Sequence, residues 1–164
     1  MRGNLLAMAI VILVASFVVP IPAGEKDDAV AKDLKLLQGN WVLQSFMTKG
    51  KDVPADTIKN IKLTIKGHRY LAYFGEKKME LAIKIDPTKK PKAIDFIMAK
   101  GDKKVTTRGI YEIKGDTFKL CRGTEAGQDR PTEFTAKEGT GLVIAVYKRH
   151  ASQGRPGGVK SKSN

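Results

Sequence analysis

The sequence has one cysteine, Cys121, and two histidines, His68 and His150, among its 164 residues. A single thiol closes no intramolecular disulfide, and these three side chains stand too far apart in sequence to form a readable metal cluster. Acidic residues are also scarce: 17 Asp and Glu face 30 Lys and Arg, and the net charge of +13 favours anionic partners. No Gly-rich phosphate loop or dinucleotide fingerprint appears, since the glycines punctuate apolar segments. Neither a nucleophile with its base nor a pair of carboxylates stands out as a hydrolytic centre. Hence no catalytic residue, cofactor or metal is expected. What is there, 41% hydrophobic and 29% charged residues, suits one ordinary folded domain and excludes two large ones.

Long apolar runs are limited to residues 5–19, which follow Arg2 and stop at Pro20 and Pro22. A spanning helix needs about 20 apolar residues, whereas a basic start, a shorter apolar run and small residues before a cleavage site define a signal peptide. Residues 1–23 are read as a signal peptide, with an uncleaved anchor as the alternative. Cleavage is expected after Ala23 or Gly24, in competition with Ala29-Val30-Ala31 beyond the charges at 25–28. The mature chain is then periplasmic or extracellular, with no transmembrane span and no Cys to carry a lipid. In an oxidising compartment Cys121 either pairs between chains or lies buried and inert, and burial is the reading adopted. Residues 24–32 read as a charged, featureless leader. Residues 150–164, rich in Ser and Gly, carry Arg155, Lys160 and Lys162 without an acid and read as a disordered basic tail.

Between these termini, Asp33 is expected to cap one helical turn that ends at Gly39. Strand signals follow. Residues 61–66 alternate apolar and polar at period two, as do residues 79–85, and turn residues separate further segments at 41–48, 69–74, 93–99, 105–113, 117–122 and 141–149. Residues 54–60 read as a helical turn. Eight short strands with hairpin-length connections predict an eight-stranded antiparallel up-and-down barrel over residues 33–149, with a β-sandwich as the alternative. Alternation turns Ile61, Leu63, Ile65, Met79, Leu81, Ile83 and Ile85 inward, and Lys62, Thr64, Lys66, Glu80 and Lys84 outward.

The interior of such a barrel is either filled by side chains or holds one small ligand. Ser45, Tyr70, Phe74, Phe96 and Tyr111 are the candidate lining, with core packing as their competing role. Ser45, Tyr70 and Tyr111 would supply the few polar groups of a mostly apolar pocket. Arg130-Pro131-Thr132-Glu133-Phe134 lies in the longest connection, either as a binding segment near the mouth or as a corner fixed by an Arg130–Glu133 ion pair. Residues 86–92 read as a rigid solvated corner or an anion-binding loop. The pI of about 9.8 raises nucleic acid as a partner, but export argues against it and favours an anionic envelope polymer or lipid surface.

Leu37-Gln38-Gly39-Asn40-Trp41 resembles the Gly-x-Trp entry of lipocalin-type (calycin) barrels. Residues 33–149 as a whole resemble an uncharacterised lipocalin-like domain family recurrent in planctomycete bacteria. The matching blocks are this entry, Pro87-Thr88-Lys89-Lys90-Pro91-Lys92-Ala93-Ile94-Asp95, Gly109-Ile110-Tyr111-Glu112-Ile113, Gly115-Asp116-Thr117-Phe118-Lys119-Leu120-Cys121, Arg130-Pro131-Thr132-Glu133-Phe134 and Lys148-Arg149. The resemblance implies the barrel and an exported location, and brings no catalytic residues. It also implies that Gly39 and Trp41 form a structural plug, with Arg149, or else Lys148, packed over the indole. Where that family often has a Gly-containing stretch, this chain reads Met79-Glu80-Leu81-Ala82-Ile83, so a fuller interior is expected. The function expected is an exported, non-catalytic binding module for a small apolar molecule. The alternative is a structural domain that docks on anionic envelope components through its basic surface and tail; an enzyme on the same barrel is the third reading.

Overall fold

Segments that alternate at period two bury one face each, and pairing them in chain order joins those faces into one interior. The computed structural model describes residues 23–150; the expected signal-peptide body and nearly all of the basic tail lie outside them. Its elements are α1 (Ala23–Leu37), β1 (Gly39–Thr48), β2 (Lys51–Asp52), α2 (Ala55–Ile58), β3 (Ile61–Lys66), β4 (Arg69–Phe74), β5 (Lys77–Asp86), β6 (Lys92–Lys100), β7 (Lys103–Lys114), β8 (Thr117–Gly123) and β9 (Leu142–Arg149). Neighbours pair antiparallel from β3 to β9, and β1 bonds to both β3 and β9, which closes an eight-stranded barrel. That closure excludes the sandwich. The two-residue β2 is an outer addition paired with the end of β1, in a stretch expected to be only a turn.

The expected single helical turn at Asp33 is instead a helix beginning at Ala23, so the stretch read as a featureless leader is helical. Val30, Leu34 and Leu37, spaced four and three apart, place a narrow apolar stripe on the barrel, and Leu37 is fully buried. Asp33 is no cap. Its carboxylate is buried mid-helix, where it accepts hydrogen bonds from the Tyr111 hydroxyl and the Lys92 ammonium, both at 2.7 Å. These tertiary contacts give the short helix the stability its length alone does not supply.

The inward set follows the alternation: Leu63, Ile65, Leu81, Ile83 and Ile85 are buried, Ile61 and Met79 half-buried, and all pack in one cluster. A second, smaller apolar layer lies outside the wall. There the connection of residues 124–141 covers Ala93, Ile110 and Cys121 with Pro131 and Ala136. Cys121 donates its thiol to the Thr135 carbonyl at 3.3 Å, and burial pushes its pKa up, as expected for an inert thiol. Arg130 ties this connection down, but not to Glu133. Its guanidinium bonds to the Ile94 and Gly109 carbonyls and to the Asp95 carboxylate at 2.7 Å. The corner at 86–92 is fixed by Asp86, which accepts from the Thr88 amide and hydroxyl and pairs with Lys26 of α1.

Candidate functional site

The two ends of the barrel differ. At the closed end Gly39 has φ 114°, and a Cβ there would stand 3.2 Å from an Arg149 guanidinium nitrogen. The positive φ calls for glycine here, and a side chain would also press on the guanidinium. Trp41 follows, 1% exposed, its indole N–H donating to the Leu37 carbonyl at 2.9 Å. The Arg149 guanidinium lies 4.2 Å from the Trp41 ring centroid and donates to the Leu36 and Gln38 carbonyls at 2.8 and 2.7 Å. It thus places a cation and donors on the C-terminal end of α1, where carbonyls lack helical partners. Lys148 is exposed on the opposite face. Gly39, Trp41 and Arg149 form one closing structure, and Trp41 packs on Phe118 at 5.7 Å.

At the other end the interior opens into a cup of about 150 Å³. Tyr70, Phe74 and Met79 line one side, and Phe46, Arg122 and Tyr147 the other. Of the expected lining, Tyr70 and Phe74 stand in this wall, with Phe74 45% exposed at the rim. Phe96 lies behind it, packed edge-on against Tyr70 at 5.1 Å. The other two do not line the cup. Tyr111 points inward but lies towards the closed end, engaged with Asp33. Ser45 is exposed, because the β1–β9 register shifts between Leu43 and Ser45. A bulge adds one residue to the strand, so alternation restarts with Phe46 inward in place of Ser45.

Three polar groups define the cup's chemistry, of which the sequence reading had only Tyr70. The Tyr70 and Tyr147 hydroxyls are buried and 3.0 Å apart. Burial, and then the neighbouring Tyr147, hold the Tyr70 pKa well above the ordinary phenol value; burial raises Tyr147 too, against opposing contributions from the Tyr70 hydrogen bond and the Arg122 charge. Arg122 takes an inward position of β8, opposite Val143 of β9 and beside Leu120, with its guanidinium carbon 5.5 Å from the Phe96 ring centroid. The strand alternation held a signal for it: Phe118, Leu120 and Arg122 share a face. Its partner across β7 is Gly109, where a Cβ would meet the Cys121 carbonyl at 2.7 Å and the Arg122 Cβ at 2.9 Å. The missing side chain at 109 makes room for the arginine.

A second concavity, about 450 Å³, lies on the outer wall between the 86–92 corner and the covering connection. It is lined by Lys26, Lys84, Lys89, Lys90 and Arg130, with Asp86 and Asp95 paired to Lys26 and Arg130. Among the described residues no three His, Cys, Asp or Glu side chains gather as a metal cluster, and no helix is long and apolar enough to cross a membrane. Fold and cup thus define a closed antiparallel barrel with a small, partly polar interior space at one end. Compared with known proteins, the chain matches no family model, no curated protein and no solved structure.

Proposed function

We propose that the protein is an exported, lipocalin-like binding module that holds a small, largely apolar molecule in the barrel cup without transforming it. The observation that carries this reading is the cup itself: about 150 Å³ of space inside the barrel, walled mainly by apolar side chains and reached from one end. A dry cavity of about that size accommodates a benzene ring. The plug of Gly39, Trp41 and Arg149 supports the lipocalin-like resemblance, and the apolar run at residues 5–19 is the basis for export. Isothermal titration of the purified protein with toluene and indole tests the reading. Saturable binding that Ala72→Leu weakens supports it, because Ala72 lines the cup; heats indistinguishable from dilution for both compounds would sink it.

The outer concavity favours a second reading, docking on an anionic envelope surface. Lys84, Lys89 and Lys90 converge there without carboxylate partners among the described residues. Cosedimentation with anionic vesicles should fall steeply as salt rises and fall again in a variant with all three lysines changed to Gln. Binding indifferent to salt would count against it.

A further inference from the structure

An arginine turned into an apolar barrel needs something to face. A guanidinium carries five N–H donors in a planar fork, yet Arg122 makes one hydrogen bond, a 3.1 Å contact from Nη1 to the neighbouring Gly123 carbonyl. Its guanidinium also lies over the Phe96 ring, and no carboxylate of any described residue pairs with it. Nor does any acidic residue line the cup. The tyrosine pair adds to this imbalance. One of the two hydroxyls donates to the other, which leaves the second with a proton and no acceptor among the described residues. The donors face a space whose other walls are Leu, Ile, Val, Ala, Phe and Met side chains.

From this we infer that the cup takes a small organic monocarboxylate, its carboxylate held by the Arg122 fork and a tyrosine hydroxyl and its compact apolar body against Leu43, Phe46, Phe74 and Met79. The inference rests on the reading of the cup as a binding site and adds the chemical class of the occupant. A planar carboxylate matches the guanidinium fork with two parallel hydrogen bonds. Arg122 is half-buried, so a pairing in the cup is partly shielded from water and stronger than the same contact in open solvent. The available volume of about 150 Å³ limits the body to the order of one ring or a short branched chain, so long-chain acids are excluded unless the rim moves. The net charge of +13 draws such an anion towards the protein.

Titration of the full chain with benzoate, benzyl alcohol and acetate, followed by calorimetry, separates the possibilities. Benzoate carries ring and charge, benzyl alcohol the ring alone, acetate the charge alone. Benzoate is expected to bind at least about tenfold more tightly than either, the gain expected of a charge-assisted pair. Arg122→Met should remove that preference and leave benzyl alcohol within about twofold, while Arg122→Lys, which keeps the charge but loses the fork, should retain part of it. Tyr147→Phe provides a second test if Arg122→Met fails to fold, and should weaken benzoate selectively. Benzyl alcohol and benzoate binding equally, unchanged by Arg122→Met, would overturn the carboxylate assignment and leave the cup reading intact. If none of the three binds, both fall. Acetate binding as tightly as benzoate would mean a surface charge effect and would likewise overturn the assignment.

Discussion

Arg149 joins the last strand to the end of the N-terminal helix, and its replacement by Met tests whether the barrel is closed as described. The guanidinium supplies hydrogen bonds to the Leu36 and Gln38 carbonyls at 2.8 and 2.7 Å, a cation over the Trp41 ring at 4.2 Å, and a 3.2 Å contact to Asp116. A hydrogen bond to a charged group contributes about 1.5–3 kcal/mol, and a cation on an indole face about 0.5–2 kcal/mol. The side chain is 32% exposed, so water takes up part of the loss; Met also restores some packing on the ring. The expected destabilisation is therefore about 2–4 kcal/mol, below the simple sum. The Asp116 carboxylate is 75% exposed, and Asp116→Ala should cost less than about 0.5 kcal/mol, as for most surface pairs. Urea denaturation followed by far-ultraviolet circular dichroism gives both values, and the fluorescence of Trp41, the sole tryptophan, reports locally on the closed end. A loss below about 0.5 kcal/mol for Arg149→Met, or an equal loss for Asp116→Ala, would refute the closing role.

Other consequences follow from the same contacts. Trp41→Ala should destabilise by about 3–5 kcal/mol in urea, the range for large aromatic core truncations; a cost under about 1 kcal/mol would mean that Trp41 is no plug. Tyr70, Tyr111 and Tyr147 all have phenol pKa values raised in the folded state, first by burial; for Tyr111 the Asp33 carboxylate adds to the rise. A group whose folded pKa lies above its unfolded value contributes stability that is fully present below the unfolded value, about 10 for a phenol, and is lost as pH rises further. Stability should accordingly be flat through neutral pH and fall above about pH 10, with phenolate absorbance at 295 nm from these three residues appearing together with unfolding. Reversible ionisation of all three without loss of structure would contradict their burial. Cys121 should resist a thiol reagent in the native protein and react on denaturation; rapid native labelling would mean that residues 124–141 do not cover it.

How far the sequence carried differs between the fold and the site. Period-two alternation in residues 61–66 and 79–85, together with turn residues at hairpin spacing, located all eight wall strands within a few residues. Each wall strand turns one apolar face to the interior, and that requirement is written locally; the added burial of Ala93, Ile110 and Cys121 on the outer face of β6, β7 and β8 is not. Helix α1 was legible only at its C-terminal turn, because what holds it to the barrel, Lys26 to Asp86 in its charged first part and Asp33 to Lys92 and Tyr111 further along, involves residues distant in sequence. The site was harder to read for a related reason. Ser45 went to the wrong face because a bulge that adds one residue leaves no mark in the composition of β1. Tyr70 and Tyr111 both point inward as expected, but their heights in the barrel, set by strand stagger, send one to the cup and the other to Asp33.

The sequence by itself thus determined eight short antiparallel strands in one domain and the facing of most strand residues, since these depend on local periodicity and on which residues avoid water. Tertiary structure decided the rest: the β1–β9 pairing that chooses a barrel over a sandwich, the ion pair of Arg130 with Asp95 rather than Glu133, and the meeting of Arg122 with Tyr70 and Tyr147. These are relations between residues tens of positions apart. Strand register and closure bring them together, and neither is encoded in any single segment.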